Sequence, residues 1–427
     1  MGRVMVTKLG LLRRDRDFRR LWGGHTISQV GTQTTAVALP LVAALSLDAG
    51  PGGVSVVATA TFLPNIVLPL FAGQWLERRR RRGVMIGTDL LRAAAICVVP
   101  IAYALDALSL ALLAATAFMV GLAGVFFDVA AFAYLPELVD DIDLPAANRA
   151  MQGSTTAAQV AGPGVGGILV QLLGPPAALL ADAASYLASA LGVAAVRRPE
   201  APVAADQARP RLLEGLHQLR VNPFLRALTT HAALCNAAAQ ILLVNLVVLA
   251  VKDRGLSAGG YGLALSAAGA GALVGTMLAL RVADRRGYGP AFATFLFLYT
   301  GVPLLLPAVP FEGAAFGLAL GLIQGVAGVG LGAANVLSVT VRQLLVPRES
   351  MARSLGAYRT VIYGVIPVGS ALGGLVGAVA GARAGVAVGA VGLAASAVPM
   401  FRREIRRLGD PRAVAGLAAE PSEFDLK

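Results

Sequence analysis

Apolar runs divided by short polar or charged stretches fill most of the 427-residue chain. A helix crossing ~30 Å of hydrocarbon takes about 20 mainly apolar residues. Twelve segments meet that length: 18–47, 54–76, 84–105, 108–134, 146–173, 176–196, 225–251, 259–283, 289–310, 313–341, 354–381 and 383–401. Gly and Pro recur inside them, as membrane helices tolerate. The pattern predicts an all-α integral membrane protein with twelve transmembrane helices.

Charge orients the spans. With a cytoplasmic N-terminus, the external connections hold only Lys252, Arg254 and Arg383 among 36 Lys and Arg. The opposite orientation would break the positive-inside bias. The expected order is a cytoplasmic arm over 1–17, a six-helix bundle over 18–196, a cytoplasmic linker over 197–222, a second six-helix bundle over 223–401 and a cytoplasmic tail over 402–427. The first residues are basic without a signal-peptide core, so they read as a retained arm. Arg far outnumbers Lys, and Ala and Gly are abundant, which fits a high-GC bacterial genome and a bacterial cytoplasmic membrane.

Composition then removes several functions. Hydrophobic residues make up 56% of the chain and charged residues 14%, with a mean hydropathy of +0.71, too little polar surface for a soluble globular protein. The net charge of +12 has no soluble module or readout element of a nucleic-acid binder beside it. Cys97 and Cys235 lie in apolar runs and His25, His217 and His231 are scattered, so neither a disulfide, a metal site nor a cofactor is expected. No nucleophile, base and orienter converge, and no GxxxxGK[ST] loop occurs. An enzyme or ATP-driven pump is therefore not expected.

The two halves repeat. Glu77 matches Asp284, Leu138-Val139 match Leu345-Val346, and Gly166-Gly167 match Gly373-Gly374, all at an offset of 207. Six spans per half beginning on the same side make these parallel repeats about an axis along the membrane normal.

Twelve spans, the repeat, a basic loop after span 2 and a long central linker together resemble the major facilitator superfamily over nearly the whole chain. The family's loop 2–3 signature falls on Gly73, Glu77, Arg78, Arg80, Arg81 and Arg82 in GQWLERRRRRG, with Glu for the usual Asp and Arg80 for the second Gly. An eroded copy stands at Asp284, Arg285, Arg286 and Gly287. The resemblance implies a cytoplasmic latch that breaks as the transporter turns inward, with Asp89, Arg92, Asp128 and Arg359 as candidate partners. Asp89 and Arg92, three apart, share a helix face and can pair directly. A charge inside a membrane span is a functional candidate by default, either in a gate or in contact with substrate or protons.

Span 5 contains VAGPGVGGILV, in which Gly162, Pro163, Gly166 and Gly167 resemble the core of the family's antiporter signature, with Ala158 and Arg149 at two of its upstream positions. Its small residues invite a close neighbour, for which GAGALVG around Gly269–Gly275 of span 8 is the candidate; tight packing alone would use the same residues. The opening RDFRRLWGGHTISQVGTQTTAVALPL, with AANRAMQ and GAYRTVIYGVIPVGSALGGLVG, resembles the drug and siderophore efflux branch of macrolide-efflux and enterobactin-exporter types. The arginine that another drug-antiporter branch carries in span 4 is absent from FMVGLAGVFFDVAA.

The resemblance implies a substrate cavity lined by spans 1, 4, 7 and 10. Gln29 and Gln33, Asn236 and Gln240, and Gln324 and Asn335 supply amides on single faces of three of them. Phe127, with Phe126 and Phe132, offers an aromatic wall, and such a pocket suits an amphipathic organic molecule. Asp128, the carboxylate on a cavity helix, is the proton-coupling candidate, or else a salt-bridge partner for Arg92 or the loop arginines. Asp182 is expected to pack against span 3 or 5. The leading expectation is a proton-driven exporter working as a monomer on a small molecule; the alternatives are an uptake symporter or facilitator, and a non-transporting membrane receptor.

Overall fold

The computed structural model describes residues 10–66, 68, 75–76, 79–200, 217, 219–221, 223–345 and 351–401. Among them every regular element is helical. Chain contacts divide the protein into two units, residues 1–207 with 257–266, and residues 208–256 with 267–427.

In the first unit the helices are α1 (Gly10–Arg14), α2 (Arg16–Leu41), α3 (Pro51–Phe62), α4 (Arg81–Ala104), α5 (Leu110–Leu138), α6 (Leu144–Leu173) and α7 (Pro175–Ala194). Asp15 caps α2 by accepting from the N–H groups of Asp17 and Phe18, and Ser109 caps α5 by accepting from Leu112 N–H. Both satisfy donors that a helix start otherwise leaves unpaired. The helix α2 packs on α6 and α7, α4 on α5 and α7, and α3 on α5. In the second unit they are α8 (Pro223–Val248), α9 (Ala258–Arg286, whose first turns belong to the first unit), α10 (Tyr288–Gly301), α11 (Gly313–Leu345), α12 (Met351–Gly364), α13 (Ile366–Ala380) and α14 (Ala382–Ser396). Here α8 packs on α13 and α14, and α10 on α11.

Ten stretches of helix among the described residues, from Arg81–Ala104 to Ala382–Met400, are long and apolar enough to cross a membrane. The first two expected spans fall outside that set. α2 carries Arg16, Asp17, Arg19, Arg20, His25, Gln29 and Gln33. α3 stops at Phe62, where Leu63–Asn65 tightens into a 3₁₀ turn around Pro64, and residues 67 and 69–74 lie outside the described set.

The internal repeat reappears as geometry. Single π-turns follow α2 at Val42–Ser46 and α8 at Leu249–Asp253, 207 positions later. Gly174 between α6 and α7 has φ +82°, and Gly381 between α13 and α14 has φ +86°. Those two turns need a left-handed residue, which glycine adopts without steric cost. Side chains on the outer helix faces stay apolar, as Leu172, Leu191, Leu318 and Val379 show at exposures above 70%, which suits a hydrocarbon solvent.

Candidate functional site

Arg92 sits at the centre of the first unit's polar core. It forms a buried ion pair with Asp89 one turn earlier on α4, the two residues being 5% and 0% exposed. Its guanidinium lies 4.4 Å from the ring centroids of both Phe127 on α5 and Tyr186 on α7. Two aromatic faces and one carboxylate thus offset the cost of burying the cation. Asp128 on α5, Asp182 on α7 and His25 on α2 lie within electrostatic reach of the same guanidinium. His25 Nε2 is 3.2 Å from Thr155 Oγ1 on α6.

The three carboxylates differ in what holds them. Asp89 is taken by Arg92. Asp182, fully buried, accepts hydrogen bonds from the hydroxyls of Thr35 and Ser185. Asp128 is exposed and makes no hydrogen bond or ion pair among the described residues. One expectation is extended here and one changes. Besides lying near Arg92 of the third span, Asp182 is bonded to the first span, where Gly31 of α2 leaves room for it: a Cβ there would overlap Asp182 and Ser185. Phe127 is no cavity wall but is 3% exposed against Arg92. Phe132 turns outward at 80% exposure, and Phe126 meets Trp75 edge-on at 5.3 Å. His25 and Tyr186 escaped the sequence reading. His25 precedes Gln29 by four residues, and Tyr186 follows Asp182 by four, a face-sharing signal that was available.

At the basic end of this unit, Gly73, Glu77 and Arg78 lie outside the described residues. Arg81 pairs with Glu137 near the end of α5, its N–H donates to Glu200, and Arg82 donates to Ala194 O. Arg79 lies over the Trp75 ring at 5.3 Å. The expected partners of the loop arginines are thereby corrected. Asp89 stands two turns deeper on α4 and is already paired, and Glu137 takes its place. Arg359 is exposed on α12 of the second unit, and Asp284 and Arg285 are exposed at the end of α9; none forms an ion pair among the described residues. Asp17 closes the same end by accepting from the N–H groups of Arg197 (3.1 Å) and Arg198 (2.9 Å) and from Arg20 (3.0 Å). Partial burial alone would raise its pKa, but those bonds outweigh burial and hold it below the usual carboxylate value.

The glycine-proline motif of α6 is a contact surface on two sides. A Cβ on Gly162 would overlap Gln33, and one on Gly166 would press at 2.8 Å on Thr34 Cα, so α2 seats directly against it. On the other side Gly167 meets Ala258 and Gly262, and Gly262 meets Pro163 O. Pro163 has no N–H to give the carbonyl of Gln159 one turn back, and next to it Gly164 N–H donates to Ser266 Oγ at 2.8 Å, a side-chain contact of the kind membrane helices make around proline. The expected neighbour Gly269–Gly275 is corrected to residues 258–266 of the same helix. Gly271 and Gly275 pack on Gly325 and Val329 of α11. The second unit repeats the α2 contact: a Cβ on Gly373 would press at 2.8 Å on Ile241 Cα, as one on Gly166 would on Thr34.

The amide candidates separate. Asn236 on α8 and Asn335 on α11 line one cavity of about 330 Å³ inside the second unit, with His231, Cys235, Phe292 and Tyr299. Gln240 and Gln324 are half-buried and do not line it. Gln33 is committed to the Gly162 contact, and Gln29, one turn before it, is half-buried.

Apolar helices of membrane length, in two units that repeat one packing scheme around polar cores, define a multi-pass membrane transporter. The Major Facilitator Superfamily model matches residues 21–366, and the chain belongs to that family. It is 28% identical over 365 residues to the multidrug efflux pump Tap of Mycobacterium tuberculosis (strain ATCC 25618 / H37Rv), covering 82% of this chain and 84% of that one. To the Tap pump of Mycolicibacterium fortuitum it is 30% identical over 212 residues, 46% of this chain and about half (51%) of the relative. To the MFS-type transporter YvqJ of Bacillus subtilis (strain 168) it is 24% identical, covering 80% and 82%. Among solved structures it resembles a bacterial homologue of the iron transporter ferroportin in an inward-facing state (TM-score 0.73, 16% identity, 91% and 98% covered). It also resembles the nucleoside transporter NupG (TM-score 0.69, 14% identity, 90% and 98% covered). At those identities the likeness is one of fold.

Proposed function

We propose that this protein is a secondary active exporter that exchanges protons for an amphipathic small molecule, drug-like or siderophore-like, by alternating access. It works as a monomer in a bacterial cytoplasmic membrane with both termini inside. The observation that carries the coupling is Asp128, a carboxylate with no hydrogen bond or ion pair among the described residues, within electrostatic reach of a buried Arg92 whose charge Asp89 already balances. A carboxylate free to load and unload a proton next to a fixed cation changes the local charge by one unit at each step, which is what a coupling site must do. Asp89 and Asp182 are already committed to partners. The outward direction is supported by the named efflux pumps aligned over most of the chain.

Inside-out vesicles bearing the protein, energised to an acidic interior and read with a pH-sensitive dye, test the reading. A macrolide, another amphipathic antibiotic or an apo-siderophore should dissipate the gradient in vesicles with the intact protein and not in empty ones. Accumulation of the labelled compound by intact cells through this protein would overturn export in favour of uptake.

A further inference from the structure

The cavity of the second unit has a polarity that its amides alone did not predict. His231 on α8 places Nδ1 2.7 Å from the carbonyl oxygen of Ser396, the last residue of α14. A carbonyl only accepts, so Nδ1 carries the proton and the neutral ring keeps a lone pair on Nε2. Nε2 has no hydrogen-bond partner among the described residues, and His231 lines the cavity. One turn on, Cys235 lies within hydrogen-bonding reach of Tyr299 of α10 and of Ser396, which leaves His231 Nε2 beside them as an open acceptor. Around it stand Phe292, Tyr299, Tyr358 and Tyr363, with Asn236, Asn335 and Ser338 beside them and no Asp, Glu, Lys or Arg among the described lining residues. Asn335 and Tyr363 are exposed and form the open side.

We infer that this cavity is a binding subsite for an aromatic group bearing a hydrogen-bond donor, an aryl amine or phenol, whose N–H or O–H donates to His231 Nε2 while the ring lies among Phe292, Tyr299 and Tyr363. The volume of about 330 Å³ accepts one bicyclic ring system, at the lower end of small-molecule sites. The reading deepens the proposed transport of an amphipathic molecule and rests on it. It names the part of that molecule the second unit recognises. A half-buried acceptor in a cavity discriminates, because an analogue without the donor leaves it unpaired.

The test is a fluorescence titration of the purified full-length protein in detergent, without any gradient, using an aminocoumarin and its N,N-dimethylated analogue. The wild type should bind the free amine about tenfold more tightly, the net effect of one hydrogen bond. His231→Leu should bring the two ligands within about twofold of each other. Equal binding by the wild type, no binding of either probe, or a preference that persists in His231→Leu overturns the assignment. Should His231→Leu fail to fold, Asn335→Phe on the exposed side must abolish binding of the amine, and retained binding overturns the site. Because no proton gradient is present, a negative result leaves the coupling test in vesicles unaffected.

Discussion

At the scale of single residues, burial decides which charges are fixed. Arg92→Ala leaves Asp89 buried without its counter-charge, a loss of about 3–5 kcal/mol, and should lower the melting temperature in detergent sharply. The double variant Asp89→Asn with Arg92→Met should recover most of that loss, since a neutral pair of similar size has no such penalty. Arg92→Lys is not conservative here: an ammonium cannot lie flat between Phe127 and Tyr186 as a guanidinium does. Asp17 behaves differently. Its pKa is depressed in the folded chain, so its hold on Arg197 and Arg198 is present above the ordinary carboxylate value of 3.8 and is lost as pH falls through the lower folded value. The protection of the Arg197 and Arg198 amides, relative to their intrinsic exchange at the same pH, should fall below pH 3.8, and in Asp17→Asn it should be reduced at neutral pH as well. The Asp89–Arg92 pair was legible from a spacing of three. The gathering of His25, Tyr186 and Asp182 around it was not, because those contacts join α2, α4 and α7 across about 70 to 90 positions, and a shared face on one helix does not say which helix it meets.

At the scale of helices, small residues set the distances. Gly275 lies where a Cβ would overlap the carbonyl of Val329, while Gly87 of α4 has open space around it. Gly275→Ala should therefore cost about 1–3 kcal/mol by forcing α9 away from α11, whereas Gly87→Ala, unobstructed inside a helix, should leave the melting temperature unchanged or raise it slightly. The glycine-proline motif of α6 was readable as a close-packing surface from its composition. Its partners were not. Two glycine-rich stretches on α9 are equally smooth in sequence, and only the register of α9 against α6 places Gly262 and Ser266, rather than Gly271 and Gly275, opposite Pro163. The loop arginines failed similarly: charge predicted a carboxylate, but depth along α4 and α5 chose Glu137 over Asp89.

At the scale of the molecule, hydropathy and the offset of 207 carried the helical membrane fold and its repeat, because lipid solvent forces backbone polar groups into helices whatever the side chains do. Substrate chemistry is less legible, since it depends on which few polar groups the packing turns into a cavity, as with His231. The central claim is that Asp128 couples transport to protons while Arg92 and Asp89 stay paired. It is tested most directly by measuring accumulation of a labelled macrolide in inside-out vesicles, with and without an imposed proton gradient, for wild type and Asp128→Asn. The wild type should concentrate the compound only under the gradient, and Asp128→Asn should still equilibrate it downhill but no longer concentrate it. If Asp128→Asn concentrates the compound as well as the wild type, the coupling role assigned to Asp128 is wrong.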